Sequence, residues 1–410
     1  MLEIIKIFCA DLEVGMYVSS LDRPWLETPF TLQGFQLQSE DEVHRLREYC
    51  QYVYVDTSKS SQHAATVRRK ERTERPRQSN QQLFPDRMLK AYPDVSSWEE
   101  EYPRAKQAVQ TLSEGIDVIF GKIANSGSLD MVTVKKSIEP MVESIVRHPG
   151  ACIWLARLKQ EDQYAYQHPL GASIWAVALG RQMGLPKADL RTLAIGGLLF
   201  DVGKLSVPKE LLDSNEPLSD EQFQQVRDHV KLGVELVKSS ALMNQDVIDM
   251  ITYHHERHNG TGYPEGLRGD HIPLFARIAA IVDCYDAITS HRSYARAIPP
   301  SAAIKMLHEW KDIDFQAELV EEFIQAVGIY PAGTLVELST GEIAVVMAGY
   351  RKHRLRPRIL VLLDAQKRPL AEPRSVDLLS VETADDGTHL DIKSSLEPGS
   401  HGIEIDAIQL

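Results

Sequence analysis

Apolar residues recur every three or four positions through the middle of the 410-residue chain. Ala105, Ala108 and Leu112 follow this spacing, which is typical of an amphipathic helix. The spacing returns at residues 134–145 and continues further on, where prolines divide it into segments. The pattern predicts a mainly α fold, with a bundle of helices over residues 98–329.

The two ends of the chain have a different pattern. Residues 1–57 alternate short β-like runs with turns around one helical stretch, Glu40–Cys50, and this predicts a small α+β domain. Three apolar runs within residues 330–380 predict a short β extension. Residues 381–410 are acidic and contain glycine and serine, so we predict a mobile tail there.

Residues 58–97 are polar and rich in arginine and lysine, and three prolines within them favour a domain boundary. A basic arm for nucleic acid or for a membrane surface is one interpretation of this charge. Glu71 and Glu74 interrupt the basic run, however, and no aromatic residues alternate with it for base stacking. We therefore predict a linker.

Composition narrows the class of protein. The formal net charge of −13 argues against general nucleic-acid binding, because affinity for the phosphate backbone needs a basic surface. The four cysteines form no Cys-x-x-Cys pair, so a disulfide framework or a zinc ribbon is not expected. The first residues are too polar for a signal peptide, and no apolar run approaches the roughly 18 residues of a membrane span. These features predict a cytoplasmic protein without a membrane span.

Chemistry-bearing residues are densest between His254 and Pro264, which read His-His-Glu-Arg-His-Asn-Gly-Thr-Gly-Tyr-Pro. The adjacent imidazoles indicate a nitrogen-rich metal site, and Gly260 and Gly262 let the backbone approach a ligand closely. A histidine pair alone is more often surface or core than ligand, and Gly-x-Gly alone is a weak signal. The whole string is much rarer than its parts.

Further polar residues stand in apolar segments. Asp201 and Lys204 are three positions apart, hence on one face if helical, and a buried charge there needs a metal or a partner. Asp283 and Asp286 interrupt a second apolar segment, 278–286. Spacing alone does not decide whether His168 or His229 is a metal ligand, and His258 and His271 are interpreted as loop residues.

Together these strings resemble the HD-GYP family, metal-dependent hydrolases of cyclic di-GMP. The resemblance extends from about Gln163 to Ala297, and the Gly-Tyr-Pro loop is its most specific part. Strings in residues 1–57, such as Gly-Met-Tyr-Val, are similar to the uncharacterised N-terminal domain often found ahead of HD-GYP modules. The resemblance therefore implies a helical HD-type hydrolase bundle behind a regulatory domain.

The resemblance implies at most two divalent transition metals. Asp201 would bridge them, and the remaining ligands would be His168, Asp283, His229, His254 and His255. His168 and Asp283 would complete one site and the three other histidines the second. Mixed imidazole and carboxylate ligation suits iron, manganese, nickel or zinc, and the resemblance favours iron or manganese. Tyr164 stands where trinuclear members carry a glutamate, so a third metal is not expected.

The resemblance also implies contacts with cyclic di-GMP. The residues expected to bind substrate are Lys204, Asp286, Arg292, Tyr294, Gly262, Tyr263 and Pro264. Lys204 would hold a phosphate oxygen and take part in catalysis, while Asp286 could orient a ligand or polarise water. Arg292 and Tyr294 match an Arg-Pro-Tyr string in which Ser293 replaces the proline. Ala295 stands where a basic residue is usual.

One departure from the family pattern affects the expected activity. Phe200 stands where the name-giving histidine should precede Asp201. One interpretation is a weakened phosphodiesterase that converts cyclic di-GMP to the linear dinucleotide or GMP. The alternative is a cyclic di-GMP-binding effector with little or no turnover, which acts through protein contacts at the Gly-Tyr-Pro loop. An ordinary HD nucleotide phosphohydrolase is disfavoured because it has no use for that loop. A homo-oligomer is left open.

Overall fold

The structure, a computed structural model, describes most of the chain. The described residues are 4–9, 12–21, 34–50, 52–56, 59–61, 77–158, 164–212, 214, 219–240, 244–290, 297–350, 353–384, 387, 389–403 and 405. The chain forms two compact units, Met1–Gln78 and Ser79–Leu410. No helix in the described ranges combines the length and the hydropathy that crossing a bilayer requires.

The first unit is a small α+β domain, as predicted. Its elements are β1 (Ile4–Phe8), β2 (Tyr17–Leu21), β3 (Phe35–Gln36), α1 (Glu40–Tyr49) and β4 (Tyr52–Asp56). The antiparallel sheet has the order β1-β4-β2-β3. Val53 and Val55 alternate with less buried residues along β4 and join Val43 and Leu46 of α1 in one apolar cluster. Burying one face of each element holds this domain together.

The second unit contains the predicted helical bundle. Its α-helices are α2 (Asn80–Leu83), α3 (Trp98–Ser126), α4 (Met131–Arg147), α5 (Pro149–Arg157), α6 (Tyr164–Met183), α7 (Lys187–Leu199), α8 (Lys209–Leu212), α9 (Asp220–Arg227), α10 (His229–Ser239), α11 (Gln245–Tyr253), α12 (Leu274–Thr289), α13 (Pro300–Glu309) and α14 (Ala317–Val327). Short 3-10 turns span Val202–Ser206 and Gly269–His271. α6, α7 and α12 are apolar on most sides and form the centre of the bundle, where they carry the polar residues of interest.

The long helix α3 shows how local sequence sets its ends. Ser97 accepts a hydrogen bond from the N–H of Glu100, and the Glu100 side chain accepts one from the N–H of Ser97, which is a capping box. The helix ends at Gly127, whose φ of 62° suits glycine because it has no Cβ. Between these caps Ala105 and Leu112 face the core, as their spacing predicts.

The predicted linker needs a correction at its C-terminal side. Residues 79–97 belong to the second unit, and two of their aromatic residues, Phe84 and Tyr92, are buried in its core. Phe84 packs edge-on against Phe275, with ring centroids 6.1 Å apart, and the Tyr92 hydroxyl donates to the carbonyl of Leu185 at 2.8 Å. Single aromatic residues in a polar stretch carry no periodic signal, so the sequence did not show that they reach the core.

The β extension is larger than predicted. The three expected strands are β5 (Leu335–Leu338), β6 (Ile343–Ala348) and β7 (Arg358–Leu363), and β8 (Pro369–Asp377) and β9 (Ile392–Ser395) join them in the order β8-β7-β6-β5-β9. β9 lies in the segment predicted to be mobile and pairs with β5. That prediction was wrong for this segment, since its backbone hydrogen bonds come from a distant strand that composition does not reveal.

Candidate metal centre

The candidate metal ligands lie at helix ends and on inward helix faces. His168 is on α6, and Asp201 follows α7 directly before the 3-10 turn Val202–Ser206. His229 begins α10, and the histidine pair follows the end of α11. Asp283 lies on α12. Five separate segments of the chain therefore contribute to one place in the bundle.

The first group of donor atoms consists of His168, Asp201 and Asp283, and all its ligand atoms lie within 4.8 Å of one another. Nε2 of His168 is 3.3 Å from Oδ2 of Asp201 and 3.2 Å from Oδ1 of Asp283. All three side chains are largely buried. One imidazole nitrogen and two carboxylate oxygens thus converge on a single point.

The second group consists of Asp201, His229, His254 and His255, again within 4.8 Å. Here Oδ1 of Asp201 faces Nε2 of His229 at 3.3 Å and Nε2 of His254 at 3.5 Å. Because Oδ2 faces the first group, the two oxygens of Asp201 belong to different groups. This arrangement fits a carboxylate that bridges two cations.

The donor atoms fit transition-metal ions. Nε2 of His168 and Oδ1 of Asp201 are buried, and neither has a hydrogen-bond partner among the described residues. A buried polar atom without a partner is costly, so such atoms usually serve a ligand or an ion. Imidazole nitrogens mixed with carboxylate oxygens are the donor set that iron, manganese, nickel and zinc accept. The residues of both groups can therefore hold divalent metals.

Backbone carbonyls set the orientation of two of the histidines. Nδ1 of His229 lies 2.6 Å from the carbonyl oxygen of Val226. Nδ1 of His254 lies 3.0 Å from the carbonyl oxygen of Ile251, in the preceding turn of α11. A carbonyl can only accept, so each Nδ1 carries the proton and donates it. In the neutral form of each ring, Nε2 then keeps a lone pair directed at Asp201 that can bind a metal.

The orientation of His168 depends on Asp286, which the sequence analysis assigned to substrate binding. The side chain of Asp286 is fully buried. Its Oδ2 lies 2.8 Å from Nδ1 of His168, and its Oδ1 accepts from Nε1 of Trp175 at 3.0 Å. Asp286 therefore holds a candidate metal ligand from behind, and its contact with substrate stays a prediction.

The electrostatics of the centre keep its acids ionised. Burial alone would raise the pKa of Asp201, but Lys204 and the surrounding histidines outweigh it and hold that pKa well below its usual value. Burial also opposes the shift at Asp283, whose pKa is lowered by His168 and His255. The pKa of His255 is lowered by burial and by the neighbouring His254. Ionised carboxylates beside a neutral imidazole are the forms that bind a cation.

The charge of His168 depends on the same acids. Burial would lower the pKa of this imidazole, but the neighbouring carboxylates of Asp201, Asp283 and Asp286 raise it to about 10. The carboxylates of Asp201 and Asp283 therefore stabilise positive charge beside Nε2 of His168. A divalent cation there would interact with the same negative charges.

The Gly-Tyr-Pro loop packs directly on the second donor group. The ring of Tyr263 stacks on His255, with centroids 4.6 Å apart and planes 25° from parallel, and the Tyr263–Pro264 peptide bond is cis. A Cβ on Gly262 would collide with the backbone of residues 255–257. Gly262 is thus required by this packing of the loop, and its contact with substrate stays a prediction.

Glu256 holds the loop in place, a role that the sequence analysis did not anticipate. Its buried carboxylate accepts hydrogen bonds from the backbone N–H groups of Glu265 (2.8 Å), Gly266 (3.0 Å) and Leu267 (3.0 Å). Burial raises the pKa of Glu256 even though these three donors favour the charged form. Its position directly after the histidine pair gave no hint of contacts with residues nine to eleven positions later.

Trp175 was also missed, although a signal exists. It lies seven positions after His168 on α6, which is two helical turns, so both side chains project from the same face. Glu256 offers no comparable signal, because its partners are backbone groups in a loop. Periodicity locates residues that share a helix face, but it does not locate hydrogen bonds to irregular backbone.

Other predicted site residues are placed as follows. Nζ of Lys204 lies 2.6 Å from Oδ2 of Asp201, and its side chain is partly exposed. Arg292, Ser293, Tyr294 and Ala295 lie outside the described residues, as does the side chain of Tyr164. His258 and His271 are not members of either donor group.

Phe200 lies against the metal centre. Its side chain is 0% exposed, and its ring is edge-on to His168 with centroids 5.5 Å apart. The same ring stacks on His254 with centroids 4.8 Å apart. An apolar ring therefore contacts one histidine from each donor group.

Comparison with protein families agrees with this architecture. An HD domain model matches residues 146–318, which include all the donor residues. A domain of unknown function, DUF3391, matches residues 4–134, and a KOW domain associated with HD domains matches residues 335–384. A helical bundle with this matched domain and this donor set defines an HD-domain hydrolase.

Known relatives narrow the class. A cyclic di-GMP phosphodiesterase of Pseudomonas aeruginosa is 33% identical over 376 residues, which is 91% of this chain and 88% of the relative. A cyclic di-GMP phosphodiesterase response regulator of Xanthomonas campestris is 32% identical over 148 residues, 36% of this chain and 39% of the relative. The chain belongs to the HD-GYP family of phosphodiesterases.

One solved structure is less similar in sequence to this chain than the relatives above. An HDG"Y"P protein from Bdellovibrio bacteriovorus aligns with a TM-score of 0.46 at 17% sequence identity, covering 78% of this chain and 98% of its own. The family assignment rests on the sequence relatives and is independent of this match.

Proposed function

We propose that this chain hydrolyses cyclic di-GMP to the linear dinucleotide or GMP. The observation that carries the proposal is the pair of donor groups that share Asp201. Two cations bridged by one carboxylate suit the in-line displacement at phosphorus that such a hydrolysis requires. The relative from Pseudomonas aeruginosa is named for this reaction, which supports cyclic di-GMP as the substrate here.

His168, Asp201 and Asp283 would hold one metal, and Asp201 with the three remaining histidines would hold the other. Iron or manganese is proposed, with nickel and zinc as further ions that this donor set accepts. When bound, the metals supply Lewis-acid activation of water and stabilise negative charge at phosphorus. Two ions are the most that these groups hold, so the proposal does not include a third.

Residues of the chain itself position the reaction. Asp286 fixes the ring of His168 through Nδ1, and Tyr263 covers one face of His255. Lys204 is placed to bind a non-bridging phosphate oxygen, because its ammonium group lies beside Asp201 on a side chain that is 37% exposed. Lysine in this position would act as a point charge on the phosphate.

Phe200 makes the first metal the weaker one. A phenyl ring offers no lone pair, so the first group keeps one histidine and two carboxylates. The proposal is a phosphodiesterase whose activity is limited by occupancy of this site. A second candidate is a cyclic di-GMP-binding effector with little turnover, and the close packing of Phe200 on His168 and His254 favours it. Such an effector would signal through a protein partner at the Gly-Tyr-Pro loop.

We place the protein in the cytoplasm, where cysteines remain reduced. None of the four cysteines forms a disulfide bond in the structure, which agrees with a reducing compartment. The N-terminal unit is proposed to regulate the second unit, because both donor groups lie entirely in the second.

That the protein forms a homo-oligomer remains a prediction.

A turnover assay separates the two candidates. Full-length protein purified without air and supplied with Mn²⁺ or Fe²⁺ should convert cyclic di-GMP to a linear product, and His254→Ala should abolish this conversion. Binding of cyclic di-GMP without any product formation at saturating metal would support the effector instead. Absence of both binding and turnover would refute both candidates.

A further inference from the structure

Arg227 is an arginine beside the metal centre to which no role has been assigned. It is the last residue of α9, two positions before His229. Its guanidinium carbon lies 4.7 Å from the ring centroid of Tyr263, and Tyr263 in turn stacks on His255. The guanidinium is therefore one aromatic ring away from a proposed metal ligand.

The same guanidinium carbon lies 4.5 Å from the ring centroid of Phe223. Phe223 precedes Arg227 by four positions on α9, so both side chains occupy one face of that helix. Phe223 is 43% exposed. The side chains of Phe223, Arg227 and Tyr263 therefore reach from the protein surface to His255. Contacts with two rings restrict the arginine side chain and reduce the entropy lost when it binds a ligand.

The guanidinium of Arg227 is held by ring contacts and not by hydrogen bonds among the described residues. Its Nε is buried and has no hydrogen-bond partner among the described residues. Within the same described ranges, no carboxylate lies within ion-pair distance of its guanidinium. The nearby Lys204, by contrast, is paired with Asp201. A buried donor on a cation without a counter-ion is costly unless a ligand supplies the acceptor.

We infer that Arg227 binds an anionic phosphodiester oxygen of the substrate, next to the metal centre. The inference rests on the proposed function and deepens it, because a cyclic dinucleotide carries two phosphodiesters and the donor groups with Lys204 account for one. An unpaired guanidinium favours phosphate, since charge-assisted hydrogen bonds are stronger than those to neutral acceptors. The neutral O6 and N7 edge of guanine is the competing acceptor.

The test measures binding of bis-phosphorothioate analogues of cyclic di-GMP and cyclic di-AMP, which keep the negative charges and resist hydrolysis. Arg227→Met removes the charge and keeps an unbranched apolar side chain. We expect it to weaken binding of both analogues by about 10- to 100-fold, on the scale of a charge-assisted hydrogen bond. Metal content should equal that of the wild type.

Lys231→Met is the matched control. Lys231 is exposed and lies two positions after His229 on α10, so it projects away from the centre. This variant removes the same charge and should bind both analogues as the wild type does.

Three outcomes would overturn the assignment of Arg227 while the proposed function stands. They are wild-type affinity in Arg227→Met, weakening that is confined to the guanine analogue, and loss of metal together with loss of binding. Failure of the metal-loaded wild type to bind the cyclic di-GMP analogue would instead refute the proposed function and this inference together.

Discussion

The phenyl ring of Phe200 stacks on the imidazole of His254, with centroids 4.8 Å apart and planes 26° from parallel. Phe200 also meets His168 edge-on, so one apolar side chain contacts both donor groups. In the HD-GYP pattern a histidine occupies this position. Whether Phe200 replaces a ligand or serves only as core packing can be tested directly.

Phe200→His should raise both metal content and cyclic di-GMP turnover. The new imidazole would lie beside Asp201 and add a donor to the group that has only one histidine. The expected gain is roughly tenfold or more, on the scale of changes to the ligand environment. Loss of buried apolar area should lower stability by roughly 1 to 3 kcal/mol.

Phe200→Leu is the control, because it alters packing without adding a donor atom. Elemental analysis, hydrolysis rate and melting temperature are measured on the same preparations. Reduced stability with unchanged metal and unchanged turnover in Phe200→His would show that Phe200 is core packing and not a vacated ligand position.

His254→Ala should remove most of the metal. His254 faces the shared Asp201 through Nε2 at 3.5 Å, so its loss disrupts the group that has three histidines. His271→Ala is the matched control, since His271 is exposed in a 3-10 turn. Elemental analysis measures the metal content of both variants, and His271→Ala should keep the wild-type content. Full metal content in His254→Ala would show that the donor assignment is wrong.

Asp286→Asn should weaken metal binding by about 10- to 100-fold, as expected for a residue that orients a ligand. The amide keeps the shape of the side chain but loses the charge that holds Nδ1 of His168. Trp175→Phe removes the N–H donor to Asp286 together with part of a buried ring, and should weaken metal binding less than Asp286→Asn does. Metal titration measures both, and an unchanged affinity in Asp286→Asn would contradict the role of Asp286.

Glu101 should make the stability of the second unit depend on acid pH. Its buried carboxylate accepts from Nη2 of Arg147 at 2.7 Å and from Oγ of Ser144 at 2.8 Å. Burial would raise the pKa of Glu101, but these hydrogen bonds outweigh burial and lower the pKa below the ordinary glutamate value of 4.5.

Because the folded-state pKa lies below the unfolded value, this stabilisation is fully present above about pH 4.5 and is lost as the pH falls through the folded-state pKa. Glu101→Gln should be less stable at neutral pH by about 2 kcal/mol, and its stability should fall less steeply with acidification. Urea unfolding between neutral and acid pH measures the slope. If the unfolding free energy of the wild type and of Glu101→Gln changed equally with pH, Glu101 would not be the source of the acid dependence.

Removal of the first unit should leave the metal centre intact if the cut follows Gln78. A chain of residues 79–410 keeps the buried Phe84 and Tyr92 and should retain metal and cyclic di-GMP binding. A chain of residues 98–410 lacks Phe84 and Tyr92 and should be less stable, because deletion of one buried aromatic side chain typically costs about 3 to 5 kcal/mol. Thermal unfolding and elemental analysis compare the two. Loss of metal from a folded 79–410 chain would contradict the regulatory role of the first unit.

Much of the fold could be predicted from local pattern. The helical period along α3 and α4, the alternation in β4 and the apolar runs of β5, β6 and β7 each result from burial of one face, which a short window of sequence records. Residues 79–97 and β9 could not be predicted in the same way. Phe84 and Tyr92 are stabilised by partners far along the chain, and β9 obtains its backbone hydrogen bonds from β5.

The sequence by itself determined which residue types could form the metal centre, because His254, His255 and the aspartates stand in motifs with a defined chemistry. Only the tertiary structure decided how they are used. The two oxygens of Asp201 face different groups, Asp286 lies behind His168, and Arg227 is next to Tyr263. The physical reason is that ligation and hydrogen bonding depend on distances of a few ångströms between side chains from separate helices, and those distances arise from packing of the bundle and not from spacing along the chain.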